Sequence, residues 1–376
     1  MLFDDIISEY YEPREYPALS QLSDEWIRTC PFDGLKILVA TPIFRNTLIQ
    51  YRALIAGGAE IAVGRAIGNA GASMPCDDSV VGLLKESGIP VISDVEIKAG
   101  AIADDYFDLI LDCAGQFSFC RPKKGFVELT RSGVQYFENS SYPVYVADSG
   151  IVKRIETTLG TGDGYFRALE QLGYGMAGFE GKKLVVFGSG KVGAGIALHG
   201  VRRNMNVITV TDTRNRKAGS DFSGVLENNG VNVVDFMDDG AVSAALHGAD
   251  FMVTATGIKS ALSLSAIQAL MVNPQIVAAN MGVEDELGEM VPASRVLNNK
   301  IPLNFILEEP THLKYIDASL ALHAALAERL LKETEKNGAG FPFIGVQDPP
   351  ADLEQRLLVT TIQLGMIGPE VYDMMR

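Results

Sequence analysis

A chain of 376 residues, 47% hydrophobic and 21% charged, has the make-up of a folded globular protein long enough for two ordinary domains, and it excludes extended disorder. Its net charge of −15 and its pI near 4.8 oppose binding to nucleic acid or anionic membrane, which draw on clustered Lys and Arg. Four cysteines, Cys30, Cys76, Cys113 and Cys120, lack zinc or redox spacing and are too few for a disulfide scaffold, and no His, Cys and carboxylate cluster has ligand spacing, so no metal is expected.

The first thirty residues carry Asp4, Asp5, Glu9, Glu12 and Glu15 without the apolar stretch of a secretory signal. No apolar run approaches the ~20 residues of a membrane span, so a cytoplasmic protein with reduced thiols is expected. Strands are then predicted at Lys36–Ala40, Ala59–Val63, Ile89–Ser93 and Asp108–Asp112, with helices at Arg45–Ala56 and Asp78–Ser87 between them. Pro143–Ala147 reads as a further strand, leading into a long helix that runs through Gly160. Strands alternating with helices imply a mainly parallel sheet covered on both faces.

A second α/β lobe opens at Gly181. Lys183–Phe187 is an apolar strand that enters Gly188-Ser-Gly190-Lys191-Val192-Gly193 and a helix; nineteen residues after Gly193, Asp212 ends the strand Val207–Thr211. Strand, glycines, helix, second strand and terminal acid in this order form a dinucleotide-binding βαβ unit. The first glycine permits the tight bend, the second lets backbone approach a pyrophosphate, and the third packs the helix on the sheet. Helix N–H groups then meet the pyrophosphate. Asp212 is placed to accept a ribose 2′-hydroxyl and to repel a 2′-phosphate, which favours NAD over NADP; Arg214 and Arg216 pull the other way. Three more strands follow at Val231–Val234, Ala249–Thr254 and Gln275–Asn280, and the small polar residues at their ends, Thr254, Thr256, Gly257, Asn280 and Gly282, lie where a doubly wound sheet puts ligand contacts. An Ala- and Leu-rich helix at Ile316–Lys332 is expected to return to the first lobe, and the tail, with a helix at Asp352–Leu364, to cover a neighbouring protomer. The expected fold is therefore a two-lobed α/β protein: a Rossmann NAD-binding domain at 158–307 and a discontinuous substrate domain with a parallel sheet at 1–157 and 308–376.

These segments resemble a known family. Pro143-Val-Tyr-Val-Ala-Asp148-Ser149, Ile110-Leu-Asp112, Gly58-Ala-Glu60 and Gly88-Ile-Pro-Val91 are similar to motifs of the S-adenosylhomocysteine hydrolases, as are Leu184–Gly195, Val253-Thr-Ala-Thr-Gly257 and Asn280-Met-Gly282, with Pro302-Leu-Asn304 at the family's later asparagine. The likeness runs in order from about residue 16 to about residue 330. It implies NAD in the second lobe with Thr256, Asn280 and Asn304 near the nicotinamide end, a substrate on the first lobe, and a homodimer or homotetramer. The hydrolytic positions depart from the pattern. Thr41 stands for a histidine, Arg45 and Leu129 for glutamates, Cys113 for an aspartate and Val152 for a lysine. Glu156 and Thr157 replace an aspartate and an asparagine, Val283 and Glu309 fall at or near family histidines, and the K-x-x-x-Y ending is absent. Hydrolysis needs those acids and bases, each worth about 10²–10⁴ in rate. The resemblance thus implies a family fold without the family's hydrolysis.

Hydride transfer on another molecule takes a group that accepts the substrate's proton and a cation that orients it. Lys153, Arg154 and Glu156, beside the expected hinge, are the candidates, with His312 as a further acid or base; a solvated helix surface would carry the same charges. Arg45 inverts the charge at a family glutamate, and a bidentate arginine suits a carboxylate, so a small amino or hydroxy acid is the expected substrate, with Thr41, Cys113, Arg154 and Glu309 around it. The alternative readings are a non-catalytic, NAD-binding regulatory or scaffold protein and, against the missing acids and bases, a true adenosylhomocysteine hydrolase with relocated groups.

Overall fold

The computed structural model describes residues 3–67, 76–214, 221–338 and 340–376. Among them the strands are, in chain order, β1 (Lys36–Val39), β2 (Glu60–Arg65), β3 (Val91–Ser93), β4 (Leu109–Asp112), β5 (Gly125–Glu128), β6 (Pro143–Val146), β7 (Lys183–Phe187), β8 (Asn206–Thr211), β9 (Asn232–Asp235), β10 (Phe251–Thr254), β11 (Val277–Asn280) and β12 (Gly345–Gln347). Two compact units divide them, Met1–Lys153 with Leu313–Ile367 and Arg154–His312 with Gly368–Arg376.

The first unit holds a seven-stranded sheet in the order β12-β6-β5-β4-β1-β2-β3, parallel throughout. β4, β5 and β6 are buried at every residue, the pattern of strands covered on both faces. The expected helix at Arg45 begins instead as a tight 3₁₀ turn, Arg45–Thr47, and turns α-helical at Leu48. The cause is local: the Thr47 hydroxyl donates to the Phe44 carbonyl at 2.8 Å and accepts the Phe44 N–H at 3.3 Å, closing the turn over three residues.

The Leu313–Asn337 helix crosses this unit and carries a buried carboxylate, Asp317. Its two oxygens accept the N–H groups of Ala18 (2.8 Å) and Leu19 (3.1 Å), which open the Pro17–Thr29 helix, where Tyr16 supplies no side-chain cap. Asp317 is thus an N-cap delivered from another helix. Burial pushes its pKa up to about 7 against the pull of those two N–H groups.

The tail departs from expectation in two places. The Ala351–Leu364 helix packs on the Pro17–Thr29 and Leu313–Asn337 helices of its own chain and buries Leu357 and Leu358 there, so that face is not available to a neighbour. The Gly368–Met375 helix groups with the second unit rather than with the rest of the tail, through an Arg202–Asp373 ion pair at 2.5 Å and the Asn229 amide on the Asp373 carbonyl at 2.9 Å.

The second unit holds a parallel sheet in the order β11-β10-β7-β8-β9. Against it lies a helical run that is π-helical at Ile155–Gly160 and α-helical at Thr161–Gln171. Wider π turns leave carbonyls to be satisfied from outside. The buried His199 does so, its Nε2–H donating to the Leu159 carbonyl at 2.8 Å. At Gly195 of the same helix as His199, a Cβ would overlap the Thr158 carbonyl, so only glycine admits this contact.

Candidate functional site

Numbered within each sheet, the second reads 3-2-1-4-5 and the first reads 3-2-1-4-5-6-7, so each has a switch point where the connections reverse, between β1 and β4 and between β7 and β10. Ligands of open α/β sheets bind at such points, beyond the carboxyl ends of the strands. Thr41 and Cys113 follow the strands that flank the first, and Gly188 follows a strand that flanks the second.

In the second unit, β7 ends in Gly188, whose φ of 109° lies in the region glycine alone occupies without strain. A Cβ there would overlap the Ala255 carbonyl beyond β10, and one on Gly193 would overlap the Gly188 carbonyl. Gly190 caps the Lys191–Arg202 helix without a side chain, leaving Lys191 and Val192 half-buried at its first turn. The result is a cradle of backbone and small residues at a positive helix end, with the Lys191 charge beside it, which fits a pyrophosphate. Asp212 is exposed just past β8, and one of its oxygens accepts the Arg214 N–H at 3.0 Å. Arg214 itself pairs with Asp235 at 3.5 Å; Arg216 lies outside the described residues. Sheet order, glycine turn and strand-end acid fit an NAD(P) dinucleotide, and the second unit is an NAD(P)-binding Rossmann unit.

The strand-end residues of β10 and β11 are joined by a hydrogen-bond network. The Thr254 hydroxyl donates to Asn280 Oδ1 at 3.0 Å, the Gly282 N–H does the same, and Asn280 Nδ2 donates to the carbonyls of Gly282, Glu284 and Lys300. Thr254 and Asn280 are fully buried, and the Asn280 amide is spent on holding its own loop. Thr256 and Gly257 give their N–H groups to the buried carboxylate of Glu286, at 2.7 and 2.6 Å. Glu286 also fills the space where a side chain on Gly282 would stand. Its sequence surroundings, Val-Glu-Asp-Glu-Leu, give no sign of this role. Asn304 is buried against Gly164 on the Thr161–Gln171 helix, and Arg167 of that helix grips the carbonyls of Glu309 (3.0 Å) and Pro310 (3.3 Å), so the half-buried Glu309 contributes backbone there. His312 is half-buried and directly precedes the long helix.

In the first unit, Thr41 follows β1 and Cys113 follows β4, and the Ala40 N–H bonds the Leu111 carbonyl between them at 2.8 Å. Thr41 is buried with its hydroxyl 3.4 Å from that of Tyr51. The turn after β4 places a non-glycine residue, Ala114, at φ 59°, a strained conformation of the kind that clusters at ligand sites. Two buried carboxylates in register on adjacent strands hold it: Asp112 accepts the N–H groups of Cys113 (2.8 Å) and Phe117 (3.0 Å), Glu128 those of Ala114 (2.9 Å) and Gly115 (3.0 Å). Burial, then the charge of Glu128, keeps Asp112 well above the ordinary carboxylate range, and burial raises Glu128 as well. Neither acid figured among the sequence candidates, because their role depends on strand pairing that spacing does not encode.

Lys153 is buried, 4% exposed, at the end of the first unit, whereas Arg154 and Glu156 are half-buried and belong to the second, so the predicted triplet is divided. His323 Nε2–H donates to the Val127 carbonyl at 2.9 Å and Nδ1 accepts from Gln50 at 3.2 Å, which fixes a neutral imidazole. Burial, with the Lys153 charge adding to it, lowers the His323 pKa to about 4. Arg45 is half-buried with its guanidinium 3.9 Å above the Tyr10 ring, and its charge acts on the Asp77 carboxylate. Leu129 and Val152, at the family's glutamate and lysine positions, are packed into the first unit's core, where neither can move a proton. Among the described residues no group of three or more His, Cys, Asp and Glu is arranged to hold a metal, and no helix is long and apolar enough to cross a membrane.

No family model matches the chain. Among curated proteins it is similar to the adenosylhomocysteinase of Sulfurisphaera tokodaii, 27% identical over 319 residues that make up 75% of this chain and 69% of that one. The adenosylhomocysteinase of Archaeoglobus fulgidus is 28% identical over 65% of this chain and 61% of its own, and that of Sulfolobus acidocaldarius 27% over 71% and 64%. The chain thus spans about two thirds of the length of the relatives it matches. Solved structures that overlap it include a dipicolinate synthase component from Bacillus halodurans (11% identity, TM-score 0.49, 80% of this chain and 98% of that one) and a transhydrogenase from Sinorhizobium meliloti (13%, 0.48, 80% and 95%). At 27–28% identity over about two thirds to three quarters of its length, the chain is similar to the adenosylhomocysteinases.

Proposed function

We propose that this protein is an NAD-dependent oxidoreductase that acts on a small carboxylate-bearing substrate and does not hydrolyse adenosylhomocysteine. The observation that carries the reading is the glycine turn from Gly188 to Gly193, whose close backbone contacts exist to admit a dinucleotide at the helix end. Bound nicotinamide supplies hydride acceptance or return. The chain's own residues do the rest. Lys153, buried where its charge acts on His323, takes or returns the hydroxyl or ammonium proton of the substrate. Arg45 binds the carboxylate through its bidentate guanidinium fork, whose face stacks on Tyr10. Glu156 and His312 are secondary candidates for the proton.

Purified protein loaded with NAD is mixed with a panel of small hydroxy and amino acids while absorbance near 340 nm is followed. A rise with one of them supports the reading, and Arg45→Ala is then expected to raise KM for that acid about tenfold or more with little change in NAD affinity. Unaltered KM in the variant removes Arg45 from the site. NAD that binds but is never reduced by any member of the panel favours the scaffold reading, and rapid cleavage of adenosylhomocysteine refutes the proposal outright.

A further inference from the structure

Past β10 the chain leaves the sheet and is held by a carboxylate from another loop. The Ala255 N–H still bonds the Phe187 carbonyl at 2.8 Å, so the sheet fixes the backbone up to that point. The next two N–H groups, of Thr256 and Gly257, go to the two oxygens of Glu286 at 2.7 and 2.6 Å. Further on, the Ser260 N–H bonds the Asp285 carbonyl at 2.9 Å and the Ala261 N–H that of Glu286 at 2.8 Å, which lays the loop along residues 285–286. Glu286 is itself delivered on a braced segment. Asn280 Nδ2 donates to the Glu284 carbonyl at 2.8 Å, and Lys300 Nζ to the Asp285 carboxylate at 2.8 Å and the Gly288 carbonyl at 2.7 Å.

What this loop faces follows from the order of the strands. The pyrophosphate belongs at the Gly188–Gly193 turn after β7, and the adenosine ribose at Asp212 past β8, on one side of the switch point. A dinucleotide crosses the switch point, so its nicotinamide half extends to the other side, over the carboxyl ends of β10 and β11, where Thr256 and Gly257 stand. The loop adjoins the glycine turn directly, since a Cβ on Gly188 would crowd both the Ala255 carbonyl and the Thr256 Cα. Glu286 is fully buried, so it acts from behind the loop and not on the ligand.

We propose that Glu286 is the positioning residue for the nicotinamide half of the dinucleotide site: it fixes the Thr256-Gly257 backbone, and that backbone receives the nicotinamide riboside. This rests on the cofactor reading above. A carboxylate suits the task because it only accepts, and each of its oxygens takes one backbone N–H. A glutamine in its place turns one oxygen into an NH₂ donor that faces an N–H whichever way the amide is set. Gly282 is the other half of the device. It leaves the space that the Glu286 carboxylate fills, and an alanine Cβ there would overlap that carboxylate.

The test is isothermal titration of the full-length protein with NAD and with ADP, for wild type, Glu286→Gln and Gly282→Ala. ADP carries the adenosine and both phosphates of NAD and lacks the nicotinamide riboside, so it reads the part of the site that Glu286 does not hold. The NAD dissociation constant is expected to rise about tenfold in each variant, while that of ADP stays within about twofold of wild type, because the lost hydrogen bond is felt only where the loop meets the ligand. A merely structural role weakens both ligands alike. Unchanged NAD affinity in Glu286→Gln, or NAD and ADP weakened by the same factor, overturns the proposal and leaves the cofactor reading standing. Failure of wild type to bind either NAD or NADP overturns both.

Discussion

The two sheets share a strand order and differ in what they present at the switch point. Beyond β7 the second unit offers backbone: glycines that allow carbonyls and N–H groups to approach, and a helix end. Beyond β1 and β4 the first unit offers side chains brought from far apart, with Thr41 and Cys113 separated by 72 positions of sequence (113 − 41) and two buried carboxylates beneath the Ala114 turn. A site made of backbone is specified by which residues lack a side chain, and that is local. One made of converging side chains is specified by topology.

The strongest way to break this contrast is to add atoms where the second unit has none. In Gly193→Val the new branches meet the Gly188 carbonyl, which belongs to the turn itself and has nowhere to retreat. Loss of measurable NAD binding is expected, with destabilisation of about 5 kcal/mol, the upper range for single substitutions. Thr41→Val, the corresponding change just past β1, is expected to leave NAD affinity within about twofold by the same titration. If Gly193→Val binds NAD as wild type does, the turn is not a dinucleotide cradle.

The first unit is sharpened by pH instead, because its buried groups titrate. Asp317 has a folded pKa of about 7 against an unfolded value near 4, so its contribution is fullest below pH ~4 and is lost as pH rises through 7, on the order of 4 kcal/mol in all. His323 is depressed to about 4 from about 6.5 and works in the opposite sense: its contribution, about 3 kcal/mol, is present above pH ~6.5 and lost as pH falls toward 4. The two oppose one another across the same window. Removing one should expose the other. Urea unfolding of Asp317→Asn between pH 4.5 and 8 is expected to show the variant weaker than wild type at the acid end, where it faces the Ala18 and Leu19 N–H groups with an amide, and level with or above it at the alkaline end. His323→Gln should lose its own acid sensitivity. A wild-type to Asp317→Asn difference that stays constant over that range means Asp317 is ionised when folded.

Much of the architecture was legible before the structure, for a physical reason. Strands such as Leu109–Asp112 and Phe251–Thr254 are continuous apolar runs that only a doubly covered sheet can bury, and their spacing with helices dictates parallel order. The dinucleotide turn was equally plain. What could not be read is whatever depends on partners distant in sequence. Asn280 ends a strand, and nothing in its sequence shows that its amide bonds the Gly282, Glu284 and Lys300 carbonyls. Strand β12, three residues after a run of glycine and proline, has too little pattern to announce itself and exists because β6 needs an edge partner. Asp112 and Glu128 would each pass for the polar end of an exposed strand; only their pairing in register buries them together.

The finest distinction concerns Arg214, which sequence alone sets against Asp212 as a potential partner for a 2′-phosphate. The guanidinium instead lies 3.5 Å from Asp235, whose other oxygen contacts are the Thr213 hydroxyl and the Met237 N–H, at 2.7 and 2.9 Å. An exposed pair of this kind is weak and screened by salt, so it restrains Arg214 without locking it. Replacing Arg214 with serine should therefore alter the NADP to NAD ratio by less than about threefold at physiological ionic strength. Repeating the titration at low salt separates the two cases: a contribution from Arg214 to 2′-phosphate binding grows as screening falls, whereas a guanidinium held by Asp235 leaves the ratio where it was. A tenfold loss of NADP affinity in Arg214→Ser would mean that the arginine leaves Asp235 for the phosphate, and that the acids around β8 restrain NADP rather than exclude it.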